Sequence, residues 1–502
     1  MKSTSKKILT AGILAAVSLA VFISCGPAKQ ETQTAVQSAE STAAESTSAG
    51  STSQESGTQA QSTETTVPAV PVTPEETTSQ GSTETKQAGH AGKAATLKIL
   101  VASDIHYMAK AYRDSGPAFT DMVDHGDGRL VQYCSQITDA WKEEVIAAKP
   151  DLVILCGDLT FEGEKKSHTI FADILKQIED AGIPVIVIPG NHDINNLNAC
   201  SYDGVQTAPV PHISPAEFAK IYSDFGYSEA ISRDPASLSY VYQADDTTRI
   251  VMLDSCQYTP RAVTGGMIRE ATYDWLEEQL RDAKQKNMTV ITVTHQNVLD
   301  ESEIYTQDCT IEHGERLENM IEDYGAAFHL SGHLHVQHYK KSDSTGNAFY
   351  EIVSASLTTP PCNYGILTRN ADFSWSYSTK NVDVAAWADK TKSREKNLLN
   401  FVEYKEAFLK NVFMNQAYDE YEKQGIADSF SDADKAEMAG MYADLNMAYY
   451  AGKAYKIADE IRESDGYKKW SENAYQSKFN DYIESILTDA TADYTKLEIP
   501  AR

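Results

Sequence analysis

Two histidines, His333 and His335, flank a single leucine in "LSGHLHVQ", directly after an apolar run of strand length. Side chains two apart on an extended chain share a face, so His-x-His at a strand's end aims both imidazoles the same way. Neutral imidazole is a common metal ligand, and the remaining ligands must come from elsewhere in the chain. Other apolar runs stop at similar groups. "SDIHYM" supplies Asp104 and His106, "GDLT" supplies Asp158, "GNHD" supplies Asn191, His192 and Asp193, and "THQN" supplies His295. Leaving His192 and Asp193 aside, the donors are two aspartates, one asparagine amide and four histidines, with no thiolate. Seven ligands exceed what one tetrahedral ion takes. They suit two ions roughly 3.5–4 Å apart, one carboxylate bridging, with positions left for water and substrate. Oxygen and nitrogen donors without sulfur favour Mn, Fe or Zn in a reactive centre over a structural zinc site.

The elements that carry these groups are legible. "LKILVAS" from Leu97, "DLVILCG" at 151–157, "IPVIVIPG" at 183–190, "RIVMLDS" at 249–255, "MTVITVTH" at 288–295 and "AAFHLSGH" at 326–333 are short and β-branched. Each closes on Gly, Ser, Asp or His, as strands do at turns. Helical stretches at 134–148, 165–181, 272–286 and 313–324 lie between several of them. The alternation predicts an α/β layered fold, in which ligands gather outside the carboxyl ends of the strands. Residues from 104 to 335 can therefore converge. After His335 the period becomes two. "VQHYK", "AFYEIVS", "YGILTR" and "FSWSY" predict antiparallel strands, two of them divided by "DSTGN". From about Val384 apolar residues recur three and four apart, as at Trp470, Ala474, Phe479, Tyr482 and Ile486, which predicts amphipathic helices. Ser431 with Asp434 forms a helix-start signal. Residues 384–502 hold no His and no Cys, so this helical accessory domain brings packing faces and no ligands.

The ordered set D-x-H, GD, GNHD, H, GHxH resembles the calcineurin-like metallophosphoesterase family over roughly residues 97–380. The resemblance implies two packed mixed β-sheets flanked by helices, with a two-metal centre at the sheet edges and a C-terminal helical domain appended. It implies that Asp104, His106, Asp158 and His335 hold one ion. Asp158, Asn191, His295 and His333 would hold the other, with Asp158 as the bridge. His192 matches the family's catalytic histidine beside the scissile ester. One departure narrows the branch. Phe161 stands three residues after Asp158, where purple acid phosphatases carry a tyrosine ligand and Ser/Thr protein phosphatases an aspartate. The pattern is most similar to bacterial phosphodiesterases that include the class III cyclic-nucleotide enzymes. The implied activity is hydrolysis of a small phosphodiester by metal-activated hydroxide, with His192 assisting the departing oxygen. A phosphomonoesterase or nucleotidase on the same site is the alternative. Asp193 either orients His192 or caps a strand end, and Phe161 either walls the site or faces the core. His125, His168, His212, His313 and His338 are assigned to surface or core.

The beginning of the chain has another character. Lys2, Lys6 and Lys7 precede the apolar run Ile8 to Ile23, too short for a comfortable membrane span and laid out like a secretory signal. Its end, "FISCG", resembles the lipobox of bacterial lipoproteins, which makes 1–24 a signal peptide and Cys25 the lipidation site. An ordinary cleaved signal or an uncleaved anchor are the other readings of this segment. Each predicts an extracytoplasmic protein, and the lipobox a membrane-anchored one. Residues 26–95 contain no Phe, Tyr, Trp, Leu, Ile or Met, so 25–95 is expected to be a disordered tether. The phosphoesterase domain then covers 96–383. A substrate-binding lipoprotein would suit the same leader and tether, but it has no need of the ligand set.

The net charge is −28. Three lysines before Cys25, then eight glutamates and three lysines in 26–95, leave −26 on residues 96–502. That acidity argues against a nucleic-acid surface, because phosphate backbones are gripped by Lys and Arg. It still admits a small phosphate ester entering a metal pocket. The cysteines after Cys25 include no CxxC and suggest no disulfide framework. Cys156 reads as a core thiol, and Cys200 could bridge to Cys309.

Overall fold

The computed structural model describes residues 96–304, 306–342, 348–425, 427–473 and 478–501. The signal, Cys25, the tether and the "DSTGN" turn lie outside the described residues. Six strands form one sheet in the order Lys496–Ile499, Trp375–Asn381, Asn363–Arg369, Leu97–Ala102, Leu152–Leu155, Val185–Val187. The last three run parallel and the others antiparallel. A second sheet of seven strands is ordered His338–Ser342, Phe349–Val353, Phe328–Ser331, Thr289–Val293, Thr248–Met252, Tyr240–Gln243, Ser232–Arg233. Its four central strands are parallel. The strand Phe349–Val353, expected to be antiparallel, is so only toward His338–Ser342.

The sheets pack face to face. Ile99, Val101, Leu152 and Ile154 from one share a core with Ile250, Met252, Ile291 and Val293 from the other. Alternate residues of each strand supply this layer, and those between them face helices. Cys134–Ala148 and Lys165–Asp180 cover the first sheet through Ile137, Trp141, Phe171 and Leu175. Glu270–Gln285 and Gly314–Tyr324 cover the second through Leu276, Leu280, Leu317 and Ile321. Trp375 and Phe328 meet edge to face across the core, centroids 5.3 Å apart. Truncating either to Ala costs roughly 3–5 kcal/mol.

The tail is helical from Val384–Lys390 through Lys478–Asp489, then returns as the strand Lys496–Ile499 on the edge of the first sheet. It is thus not helical throughout, as its amphipathic pattern suggested. The helix signal at Ser431 is real, since its hydroxyl accepts from Asp434 N. The helical core, built on Phe413, Tyr442, Trp470 and Ile483, also contains Leu334 and Val336. In "HLHV" the apolar residues are therefore gripped by the tail. Gln337 N donates to Tyr450 O at 3.0 Å, and Gln337 Nε2 donates to Tyr494 O.

Candidate metal centre

All seven ligand candidates come together at the carboxyl ends of the strands and are buried. The backbone turns sharply to deliver them. Asp104, His106, Asp158, His333 and His335 all have positive φ, between 44° and 73°. Left-handed backbone at a non-glycine residue costs of order 1–3 kcal/mol and persists where surroundings enforce it. His333 and His335 are therefore not frayed strand, and their rings do not run parallel. The His335 ring lies against His106, centroids 4.9 Å apart, and the His333 ring against His295 at 5.1 Å. Two glycines of the motifs are demanded by close approach. A Cβ at Gly190 would sit 2.1 Å from Asp158 N, and one at Gly332 would sit 1.9 Å from Ser103 Oγ.

Two clusters result. In one, His106 Nε2 and His335 Nε2 are 2.9 Å apart and lie 3.8 and 3.4 Å from Asp104 Oδ1. In the other, Asp104, Asp158 and His295 converge, and His295 Nε2 lies 3.3 Å from Asp158 Oδ2 and 3.0 Å from Asn191 Oδ1. Asp104 is common to both. Asp158 Oδ2 also touches both, since it is 3.8 Å from His106 Nε2.

Hydrogen bonds to carbonyls set two tautomers. His295 Nδ1 donates to Cys156 O at 2.8 Å, and His333 Nε2 donates to Asp308 O at 2.8 Å. A carbonyl accepts only, so His295 Nε2 and His333 Nδ1 are left with lone pairs. The His295 lone pair faces two oxygens that are themselves acceptors. A proton or a metal ion on Nε2 resolves that arrangement. In the protein alone it is a proton. Burial opposes the charge, but Asp158 raises His295 to about 9. Asp158 itself, despite burial, is held well below the carboxylate range by His295 and His192. These groups fit metal ions.

The His106 half is set differently. Arg129 Nη1 lies 3.1 Å from His106 Nδ1 and can only donate. Burial first, then Arg129, drives His106 well below its ordinary pKa. The proton then sits on Nε2, so ligation through that atom requires Arg129 to release Nδ1.

His192 stands beside the cluster, Nε2 3.9 Å from Asp158 Oδ2. Its partner is Glu162, with Oε2 3.2 Å from Nδ1 and anchored by Asn196 Nδ2 at 2.7 Å. Asp193 does not orient His192. Its carboxylate accepts from Gly190 N, Leu159 N and Thr160 N, tying the two motif loops together. Phe161 faces the core, fully buried with Met108, Phe119 and Val131, and carries the Arg129 guanidinium 4.7 Å above its ring. Arg129 is further held by Asp127 at 2.7 Å. Sequence reasoning missed Glu162, Arg129 and Asp127. The one available signal was Glu162 itself, an acid one position beyond the aspartate that the protein phosphatases place three residues after the bridge. His338 is buried between carboxylates, His168 is buried against Thr160, and His125 and His313 are exposed. Cys200 and Cys309 are both free thiols, so the bridge considered between them is absent.

Strand-end carboxylates and imidazoles thus gather around a shared centre in a helix-flanked double sheet. Residues 97–337 match the calcineurin-like phosphoesterase family. Residues 383–493 match the C-terminal domain of cyclic nucleotide phosphodiesterase. A probable glycerophosphodiester phosphodiesterase of Arcobacter nitrofigilis is 26% identical over 189 residues, covering 37% of this chain and 57% of that protein. The chain thus matches a little over half the length of this relative. Among solved structures, a dimetal phosphatase of Danio rerio is 12% identical, covering 57% of this chain and 96% of its own, with a TM-score of 0.39. The GAP50 anchor of the Plasmodium inner membrane complex is 12% identical, covering 57% and 85%, with a TM-score of 0.32.

Proposed function

We propose that the protein is a two-metal phosphodiesterase acting on small diesters, cyclic nucleotides among the candidate substrates. The observation that carries this is the His295 lone pair aimed at Asp158 and Asn191, a geometry that a cation resolves. Asp104, His106, Asp158 and His335 would hold one ion. Asp158, Asn191, His295 and His333 would hold the other. Such ions, when bound, supply an acidified water and neutralise phosphoryl oxygens.

The chain's own groups do the rest. Glu162 fixes His192 with Nδ1 toward its carboxylate, leaving Nε2 to meet the ester and give a proton to the departing oxygen. Phe161 and Asp127 hold the Arg129 guanidinium at the edge of the cluster, where it can take a phosphoryl oxygen. The preference for diesters rests on the two phosphodiesterase matches. It does not rest on Phe161, whose ring belongs to the core.

The test is a hydrolysis panel on metal-reconstituted protein lacking residues 1–95. Bis(p-nitrophenyl) phosphate should show a higher kcat/KM than p-nitrophenyl phosphate with Mn²⁺ at neutral pH. A preference for the monoester across several metals replaces this reading with the monoesterase or nucleotidase one. We also propose export and lipid anchoring at Cys25, on the strength of "FISC" after the apolar run. Cys25→Ser should abolish incorporation of labelled lipid, and undiminished labelling would end that reading.

A further inference from the structure

Away from the metal centre, a cavity of about 420 Å³ opens at the seam between the sheets and the helical tail. Its walls are mostly apolar, with Pro360, Val382, Val384, Phe401, Leu409 and Met447 among them. The size falls in the roughly 300–1,000 Å³ range of small-molecule sites. One cationic side chain lines it without an acidic partner. Lys405 is only 4% exposed, its Nζ donates to Pro361 O at 2.7 Å, and no ion pair to it is found among the described residues. The second lysine of the wall, Lys380, is already paired with Glu144. Of the acids in the wall, Asp383 spends its carboxylate on the cap of the helix Val384–Lys390, and Glu406 is exposed.

A lysine head has three N–H groups, and one neutral carbonyl with the Phe401 ring centroid 5.8 Å from Nζ is poor compensation for taking it out of water. An apolar chamber with one such head is the complement of an oxyanion on a short apolar tail. We propose that this cavity binds a small amphiphilic anion, carboxylate or phosphate at the head, with its charge on Lys405 and its tail against Phe401 and Leu409. The wall is not isolated from the metal centre. In the segment leading to Pro360, Ser356 Oγ donates to Asp104 O and Thr358 O accepts from Leu130 N, each at 2.8 Å.

The experiment is calorimetric titration of the full-length protein with hexanoate and, separately, hexylphosphonate, with hexan-1-ol as the uncharged control. At least one anion should bind, and the alcohol at least ~10-fold more weakly, as expected for losing a hydrogen bond to a charged group. Whichever anion binds more tightly identifies the head group. Lys405→Met should weaken it by at least ~10-fold. Val402→Trp, which fills the half-exposed mouth and leaves Lys405 in place, should do the same. The second variant decides the matter if the first does not fold. The proposal is overturned if neither anion binds, if the alcohol binds equally, or if binding survives Val402→Trp. Binding at the metal centre alone would survive both variants and so counts against it.

Discussion

His335 and His338 are three residues apart, both buried and both among carboxylates, yet their surroundings are opposite in kind. His338 is closed: Nδ1 lies 2.6 Å from Glu301 Oε2 and Nε2 lies 2.6 Å from Asp489 Oδ2. The ring is its own cation. Around His335 the nitrogen–carboxylate distances are 3.4 and 3.8 Å, and its Nε2 faces another imidazole nitrogen. Imidazole and carboxylate in contact neutralise each other and finish a structural clasp. The same groups spread around a common centre present carboxylate and imidazole atoms to one point, the arrangement that suits a bound cation.

The sharpest way to break the contrast is Asp158→Asn, which removes charge from between the clusters. Turnover should fall by at least ~10³-fold, with loss of bound metal. Two ions per chain and normal turnover would refute the bridging role. His192→Ala should keep metal content and lower turnover by ~10²–10⁴-fold, more for alkyl than for nitrophenyl leaving groups. Equal losses on both esters would make His192 a structural residue. Glu162→Gln should cost ~10–100-fold, as for other outer partners of catalytic groups, with the same leaving-group dependence. Loss independent of the leaving group would show that Glu162 serves the fold and not His192.

The clasp should move stability and leave chemistry nearly untouched. Burial opposes charge on His338, but Glu301 and Asp489 raise it to about 9. The Tyr494 ring, tilted against it with centroids 3.8 Å apart, is neutral over this range. A raised histidine contributes stability that is full below its unfolded pKa of 6.5 and is lost as pH rises through about 9. The Tm advantage of wild type over His338→Gln should therefore be present at pH 6 and gone by pH 10. An advantage independent of pH would mean that packing, not charge, holds this seam.

The convergence of the candidate residues was legible where an apolar, β-branched run stops at a polar group, because those strand ends gather in one place. Asp104, Asp158, Asn191 and His295 were readable for that reason, as were helices such as Cys134–Ala148. Glu162 and Arg129 sit in loops without periodicity, and their roles arise from contacts that no spacing encodes. The strand Lys496–Ile499 was hidden because four residues at the end of a helical region are too short to show a period. The divergence of His333 and His335 was hidden because left-handed backbone breaks the strand rule applied to them.

That last strand bears on how the chain reaches its native state. Ile499 pairs with Trp375, and the intervening residues form the helices that grip Leu334 and Val336. The tail is thus a loop closed at both ends on the domain it supports. Closing so long a loop is entropically slow, and its reward arrives only when the final strand docks. During synthesis the first sheet keeps an open edge at Trp375–Asn381 until residue 499 has emerged. An unpaired edge is an invitation to pair with another chain. Refolding yield of the full chain should accordingly be more sensitive to protein concentration than its equilibrium stability is.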